Sequence, residues 1–318
     1  MKLRTVNLGS SGLDVTEFCF GTLTLSPLQA NLSPDQGGQL IRKAISEGIT
    51  FLDTAQGYKN YPHVRAGITG YDRKQLVIAT KSAAESADDM QNAFDEACEG
   101  MGISYVDIFH LHSVSSPENF QERKGALEKL KELKSKGLVK AIGVSSHSVE
   151  TCRHILGRRD IDICHPLFNK RGLGINHGTV DEMAEILNKL HDEGKGIYAM
   201  KALAGGHLIE HSIEAFDFVR NFECIDAVAV GMKDKWELKF NLAYFKGQDI
   251  TEEMRKRVSM VKHKLLINQL CTKCGTCVEF CEQHALSLGE KKAEVNGDKC
   301  VLCGYCAPEC PEFAIRIV

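Results

Sequence analysis

The chain has 318 residues, of which 43% are hydrophobic and 25% charged, the composition of an ordinary globular protein. Its net charge of −3 excludes the clustered basic excess of a nucleic-acid binder or a polybasic membrane-surface protein. No apolar run approaches the ~18 residues of a membrane span, and Met1 to Ser10 has no apolar signal core, so the sequence predicts a cytoplasmic protein with no membrane contact.

In chain order, short apolar runs read as strands: Glu17–Leu23, Thr50–Asp53, Gln75–Lys81, Tyr105–His112, Leu138–Ser145, Ile161–Cys164, Gly196–Lys201 and Ile225–Gly231. Helical stretches lie between them. One starts at Ser33-Pro34, an N-cap followed by proline at the first helical position, and stops at Gly48. Another covers about Asn119 to Ser135, with Leu127, Leu130 and Leu133 on one side. A third, about Val180 to Glu193, places Met183, Ile186, Leu187 and Leu190 at helical spacing. The charged run Glu128 to Lys136 reads as a solvated helix face. Near-continuous apolar strands, each followed by a helix, imply a parallel sheet covered on both faces. Eight such units in about 250 residues predict an α/β fold, a closed (β/α)₈ TIM barrel over residues 1–250. No G-x-G-x-x-G follows the first strand, so the fingerprint of the open dinucleotide-binding fold is missing. From about Thr251 to Ile267 the chain reads as one more helix, its 251–265 part connecting the barrel to a small ferredoxin-like α+β domain over 266–318.

A barrel of this kind carries its chemistry where the strands end. Strand two ends at Asp53, followed by Tyr58; strand three ends at Lys81 and strand four at His112. These four groups make a proton-transfer site. A phenol has an unperturbed pKa of about 10, and a nearby ammonium favours its phenolate. The carboxylate keeps the lysine charged, and the histidine polarises a carbonyl oxygen or passes a proton on. His110 shares the alternation of His112 and reads as packed or hydrogen-bonded within the strand. A glycine-rich turn after strand seven (Leu203, Gly205, Gly206) and the start of the eighth helix (Gly231 to Asp234, with Lys233) lie where barrels hold phosphate. Asn241, on that helix, joins the cofactor-binding set.

Residues 1 to about 250 resemble the aldo-keto reductase family. The resemblance is carried by LGSSGLDVTEFCFGT at Leu8–Thr22, GITFLDTAQGY at Gly48–Tyr58, VIATK at Val77–Lys81, VDIFHLHS at Val106–Ser113 and AIGVSS at Ala141–Ser146. It implies that Tyr58 is the general acid toward a carbonyl oxygen, that His112 orients that oxygen, and that Lys81 and Asp53 tune the tyrosine. It also implies a nicotinamide held by Ser145, Ser146, His165 and Met200, positions where the family usually has Ser-Asn, Gln and an aromatic residue. Lys59-Asn60-Tyr61-Pro62 departs from the run that commonly follows the family's tyrosine. Glu237 stands where an arginine often grips a 2′-phosphate; a carboxylate repels phosphate, and Lys233 or Lys235 would have to compensate. NADH, NADPH and a flavin in the same groove all stay open.

Thirteen cysteines divide the chain: Cys19, Cys98, Cys152, Cys164 and Cys224 are scattered, and eight crowd between Cys271 and Cys310. Cys271, Cys274, Cys277 and Cys281 form C-x₂-C-x₂-C-x₃-C, and Cys300, Cys303, Cys306 and Cys310 repeat it before Pro311. This is the bacterial ferredoxin arrangement for [4Fe–4S] clusters, in which the fourth cysteine of each run serves the other cluster. The first cluster is thus assigned to Cys271, Cys274, Cys277 and Cys310, the second to Cys300, Cys303, Cys306 and Cys281. Structural zinc, the alternative, uses four ligands in two separated pairs. Residues 266–318 resemble two-cluster ferredoxins.

Three readings of function follow. The first is an aldo-keto oxidoreductase that reduces a small aldehyde or ketone, or oxidises the alcohol, with Tyr58 as acid/base. The second is a flavin-linked, ferredoxin-coupled electron-transfer enzyme with a redox-protein partner. The third is a redox-sensing or structural cluster protein with little turnover.

Overall fold

The computed structural model describes residues 2–259, 264–312 and 314–317. Eight parallel strands close into a barrel: β1 (Phe18–Gly21), β2 (Phe51–Asp53), β3 (Val77–Ser82), β4 (Val106–Leu111), β5 (Val139–Ser146), β6 (Ile163–Pro166), β7 (Gly196–Met200) and β8 (Ala227–Gly231). Each pairs with the next, and β8 closes on β1 with Val230 opposite Phe20. All eight strands fall on the apolar runs of the sequence. A short antiparallel hairpin, Thr5–Asn7 with Asp14–Thr16, precedes β1.

Period-two alternation sorts each strand. One set of residues (Phe18, Phe20, Leu52, Ile78, Phe109, Ile142 and their equivalents) packs against the surrounding helices. The other set (Cys19, Phe51, Ala79, Ile108, Ala141, Ile163, Tyr198) packs inside the barrel with Leu8, Leu13 and Val15 of the hairpin region. Continuing the inward set by two residues along the chain reaches Asp53, Lys81, His110, His165 and Met200. The interior is therefore apolar toward the start of the strands and polar toward their ends. Gly143 belongs to this inward set, and a Cβ there would lie 2.1 Å from His110 Nδ1, so the absent side chain makes room for the imidazole.

Helix Pro34–Ser46 begins at Ser33, whose side chain and that of Gln36 form a reciprocal capping box. The single helix expected over about 119–135 is two, Pro117–Glu122 and Lys124–Ser135, broken at Arg123. At the break the Arg123 guanidinium donates to the carbonyl of His112. Leu127, Leu130 and Leu133 are buried as their spacing indicates, and each contributes roughly 1.5–3 kcal/mol.

The helix expected from Thr251 to Ile267 is shorter, Glu252–Ser259. Residues 260–263 lie outside those described, and Leu265–Ile267 is instead a strand, β9. It pairs antiparallel with β12 (Ile315–Ile317), while β10 (Leu286–Leu288) pairs with β11 (Ala293–Val295). Ile267, Leu286 and Ile315 pack with Cys277, Cys306 and Cys310 in a small core. Among the described residues, no helix is long and apolar enough to cross a membrane.

Candidate active site

The strand ends bring Asp53, Tyr58, Lys81 and His112 together. Lys81 Nζ donates to Asp53 Oδ2 at 2.6 Å and to the Thr54 carbonyl at 2.8 Å. Both partners are buried, and removing one from such a pair typically costs 3–5 kcal/mol. The second carboxylate oxygen of Asp53 accepts from the Tyr198 hydroxyl at 2.9 Å, and that hydroxyl also lies 2.7 Å from His110 Nε2. His110 is thus hydrogen-bonded inside the barrel. Lys81 Nζ sits 5.2 Å from the centre of the Tyr58 ring.

Burial alone would lower the Lys81 pKa, but Asp53 and Tyr58 reverse that, and the ammonium is held above its ordinary value. For Tyr58, burial pushes the phenol up and outweighs the pull of Lys81. The sequence anticipated the lysine and not the burial, which leaves Tyr58 protonated at neutral pH, the form a proton donor needs. His112 is pushed well below the ordinary imidazole value by burial and then by Lys81 and Arg123, so its ring is neutral.

A cavity opens beside Asp53 and Tyr58 and runs along the loops after β7 and β8. His165 and Met200 line it, as do Leu203, Gly205 and Gly206, and further along Gly231, Lys233 and Asn241. His165 also holds the Tyr198 carbonyl through Nδ1 at 2.6 Å and stacks on the Tyr198 ring. Glu237 lines the cavity too, and burial pushes its carboxyl up to about 7. Lys201, the residue after Met200, is half-buried with its ammonium 3.2 Å from His147 Nε2, and partial removal from water lowers its pKa.

Ser145 and Ser146 are not among the lining residues. The Ser145 hydroxyl accepts from the Ser113 N–H at 3.0 Å, and Ser146 donates to the Val114 carbonyl at 2.6 Å. Both are spent on the backbone of the loop after β4 rather than turned to the groove.

Cys271, Cys274, Cys277 and Cys310 line one small cavity. Burial raises the Cys306 thiol, and the neighbouring thiols of Cys303, Cys300, Cys281 and Cys277 raise it further. The two loops share a backbone pattern. Lys273 (φ 59) and Gly275 (φ 87) flank Cys274 as Leu302 (φ 49) and Gly304 (φ 82) flank Cys303, all in the left-handed region. Donors meet the sulfurs: Ala293 N–H reaches Cys271 Sγ at 3.4 Å and Ala314 N–H reaches Cys310 Sγ at 3.3 Å. Clustered thiols with backbone N–H groups aimed at sulfur suit the ligation of an iron–sulfur cluster.

The aldo/keto reductase family profile matches residues 17–286. The chain belongs to the aldo/keto reductase family. A second profile, a 4Fe-4S dicluster domain, matches residues 270–314, so this aldo/keto reductase ends in an iron–sulfur domain. It is 25% identical to an L-galactose dehydrogenase of Arabidopsis thaliana over 220 residues, 66% of this chain and 68% of the relative. It is 31% identical to an aldo-keto reductase of Mycolicibacterium vanbaalenii over 166 residues, 48% of this chain and 58% of that one. Among solved structures, an aldo-keto reductase from Bacillus halodurans superposes with a TM-score of 0.63 at 18% identity, covering 81% of this chain and 96% of the other. The protein is an oxidoreductase of aldo-keto type.

Two site residues of this aldo/keto reductase escape a reading of strand ends. Tyr198 braces Asp53 from β7, and only its inward parity with Met200 signals it. Tyr305, between Cys303 and Cys306, places its hydroxyl 3.1 Å from His112 Nε2 and its ring 6.5 Å from that of Tyr58. Nothing local to Tyr305 signals this contact.

Proposed function

We propose that the protein reduces a small aldehyde or ketone, or oxidises the corresponding alcohol, with Tyr58 as general acid/base beneath an iron–sulfur tail. The observation that carries this reading is the arrangement at Tyr58: a buried, protonated phenol between the Lys81 ammonium and a neutral His112. Tyr58 donates its proton to the carbonyl oxygen, and His112 donates Nε2–H to the same atom. As the phenolate forms, the charge on Lys81 stabilises it, while Asp53, held by Tyr198, keeps Lys81 in place. Alcohol oxidation reverses these transfers.

The cavity beside Tyr58 fits a nicotinamide dinucleotide: His165 and Met200 border the reacting end, Gly205, Gly206 and Gly231 bring backbone to its wall, and Lys233 and Asn241 supply a cation and an amide. Bound there, NADH or NADPH supplies the hydride. Glu237 in the same wall favours a ribose hydroxyl over a 2′-phosphate, and hence NADH. The thiol groups fit two [4Fe–4S] clusters, ligated by Cys271, Cys274, Cys277 and Cys310 and by Cys300, Cys303, Cys306 and Cys281; such clusters carry single electrons.

A second reading has support in one contact. Val301 and Leu302 of the second cysteine loop line the same cavity as His165 and Met200, so that loop would border a cofactor held in the groove. Cys274 of the other loop is solvent-exposed. This arrangement suits electron passage from a redox partner at the surface to a flavin in the groove, which exchanges one electron or two.

Anaerobically purified protein, mixed with NADH and a small aldehyde, is expected to oxidise the nicotinamide only when the aldehyde is present. Failure with every small aldehyde and with both NADH and NADPH would overturn the first reading. Flavin released on denaturation would establish the second.

A further inference from the structure

The tail does not merely adjoin the barrel; it crosses the mouth where the strands end. Gln29 Nε2 donates to the Leu302 carbonyl at 3.0 Å, and His207 Nε2 lies 2.8 Å from the Cys300 carbonyl. The Ser113 hydroxyl donates to the Glu282 carboxylate at 3.1 Å, and Gln283 Nε2 donates to His147 Nδ1 at 3.1 Å. Two glycines make the seat close. A Cβ on Gly205 would stand 2.2 Å from the Val301 carbonyl oxygen, and one on Gly304 would stand 2.6 Å from that of Leu28. The contact is therefore built from both sides of the interface.

What the seated loop carries into the barrel is Tyr305. Its ring lies nearly parallel to that of Tyr58 and edge-on to His112, with interplanar angles of 25° and 79°. Its hydroxyl bonds His112 Nε2 at 3.1 Å, and its ring lies against that of Tyr58, 6.5 Å away between centres. Those are the two groups that, on the reading above, must converge on one carbonyl oxygen. A position bonded to His112 and packed against Tyr58 holds one oxygen at a time.

We propose that Tyr305 is an internal ligand of the carbonyl-oxygen position, and that substrate enters by displacing it with the Cys300–Cys306 loop. The inference rests on the assignment of Tyr58 and His112 as the carbonyl site. It makes a residue of the iron–sulfur tail the determinant of substrate affinity in the barrel. The competition acts on binding and not on the chemical step: apparent affinity falls by the fraction of molecules whose site is open. Aldehydes small enough to follow the retreating phenol are admitted first.

The test compares the cluster-loaded full chain with its Tyr305→Ala and Tyr305→Phe variants, iron content and visible spectrum being matched beforehand. For propanal reduction with NADH, Tyr305→Ala is expected to lower KM about tenfold without lowering kcat, and Tyr305→Phe, which keeps the ring but loses the hydrogen bond to His112, to lower KM by a smaller factor. A fall in kcat at unchanged KM would overturn the proposal and make Tyr305 a proton donor or positioning group. Calorimetric binding of propionamide, an unreactive carbonyl compound, reads the same competition without turnover. It is expected to tighten about tenfold in Tyr305→Ala, and equal affinity in the parent and both variants would overturn the proposal. Tighter amide binding with no aldehyde turnover in any of the proteins would uphold Tyr305 as the internal ligand while overturning carbonyl reduction.

Discussion

Tyr58 owes its proposed role to two opposing influences on one phenol. Burial holds the proton on, and the Lys81 ammonium stabilises the charge left when the proton departs. Glu237 shows the reverse side of burial. Its carboxyl is pushed up to about 7 against an ordinary value of 4.5, so the folded chain binds a proton there that the unfolded chain has released. Between those two values stability falls as pH rises, because the folded state binds more protons. Glu237→Gln keeps an acceptor for the Lys233 N–H, now at 2.8 Å, and removes the titration. It is expected to stabilise the protein by up to about 3 kcal/mol at pH 8 and to have little effect at pH 4.5, at 1.36 kcal/mol per pKa unit. Thermal unfolding of both proteins at the two pH values checks this; an equal shift at both would contradict it.

At the scale of elements, the barrel strands are legible because parallel strands buried on both faces read as unbroken apolar runs, and the inward residue at each strand end follows from period-two alternation. Asp53, Lys81 and His112 were found that way. The break at Arg123 is not found that way, since helical spacing does not report that its guanidinium turns back to the carbonyl of His112. Leu265–Ile267 was read as helix because its pairing with Ile315–Ile317 joins segments distant in sequence. Ser145 and Ser146 have the right strand position but are claimed by a neighbouring loop, which periodicity does not report. The seat of the second cysteine loop is equally non-local. Gly304→Ala puts a side chain at φ 82 and against the Leu28 carbonyl, and the left-handed backbone alone costs roughly 1–2 kcal/mol. Hydrogen exchange at 300–306 is expected to quicken in that variant while β4 and β5 exchange as before. Unchanged exchange at 300–306 would show that the close approach at Gly304 is not needed to seat the loop.

Across the whole molecule, the barrel and the tail have different sources of order. The barrel has a large apolar core between strands and helices. The tail's core is a handful of apolar residues packed on cysteines, too small a cluster for a segment of this length to rely on alone. Ligand binding by those thiols is then part of the tail's folding energy. Iron removal by a chelator under reducing conditions is expected to expose 264–317 to protease and leave the barrel resistant. Equal resistance of the tail before and after chelation would contradict this.

Carbonyl chemistry at Tyr58 beneath an iron–sulfur tail is tested by an anaerobic absorbance assay that follows nicotinamide oxidation and cluster absorption together, in the parent chain and in Tyr58→Phe. Cluster absorption is expected in both proteins, with aldehyde-dependent oxidation lowered about 10²–10⁴-fold in the variant. Undiminished oxidation by Tyr58→Phe, or a colourless protein holding zinc, would contradict it.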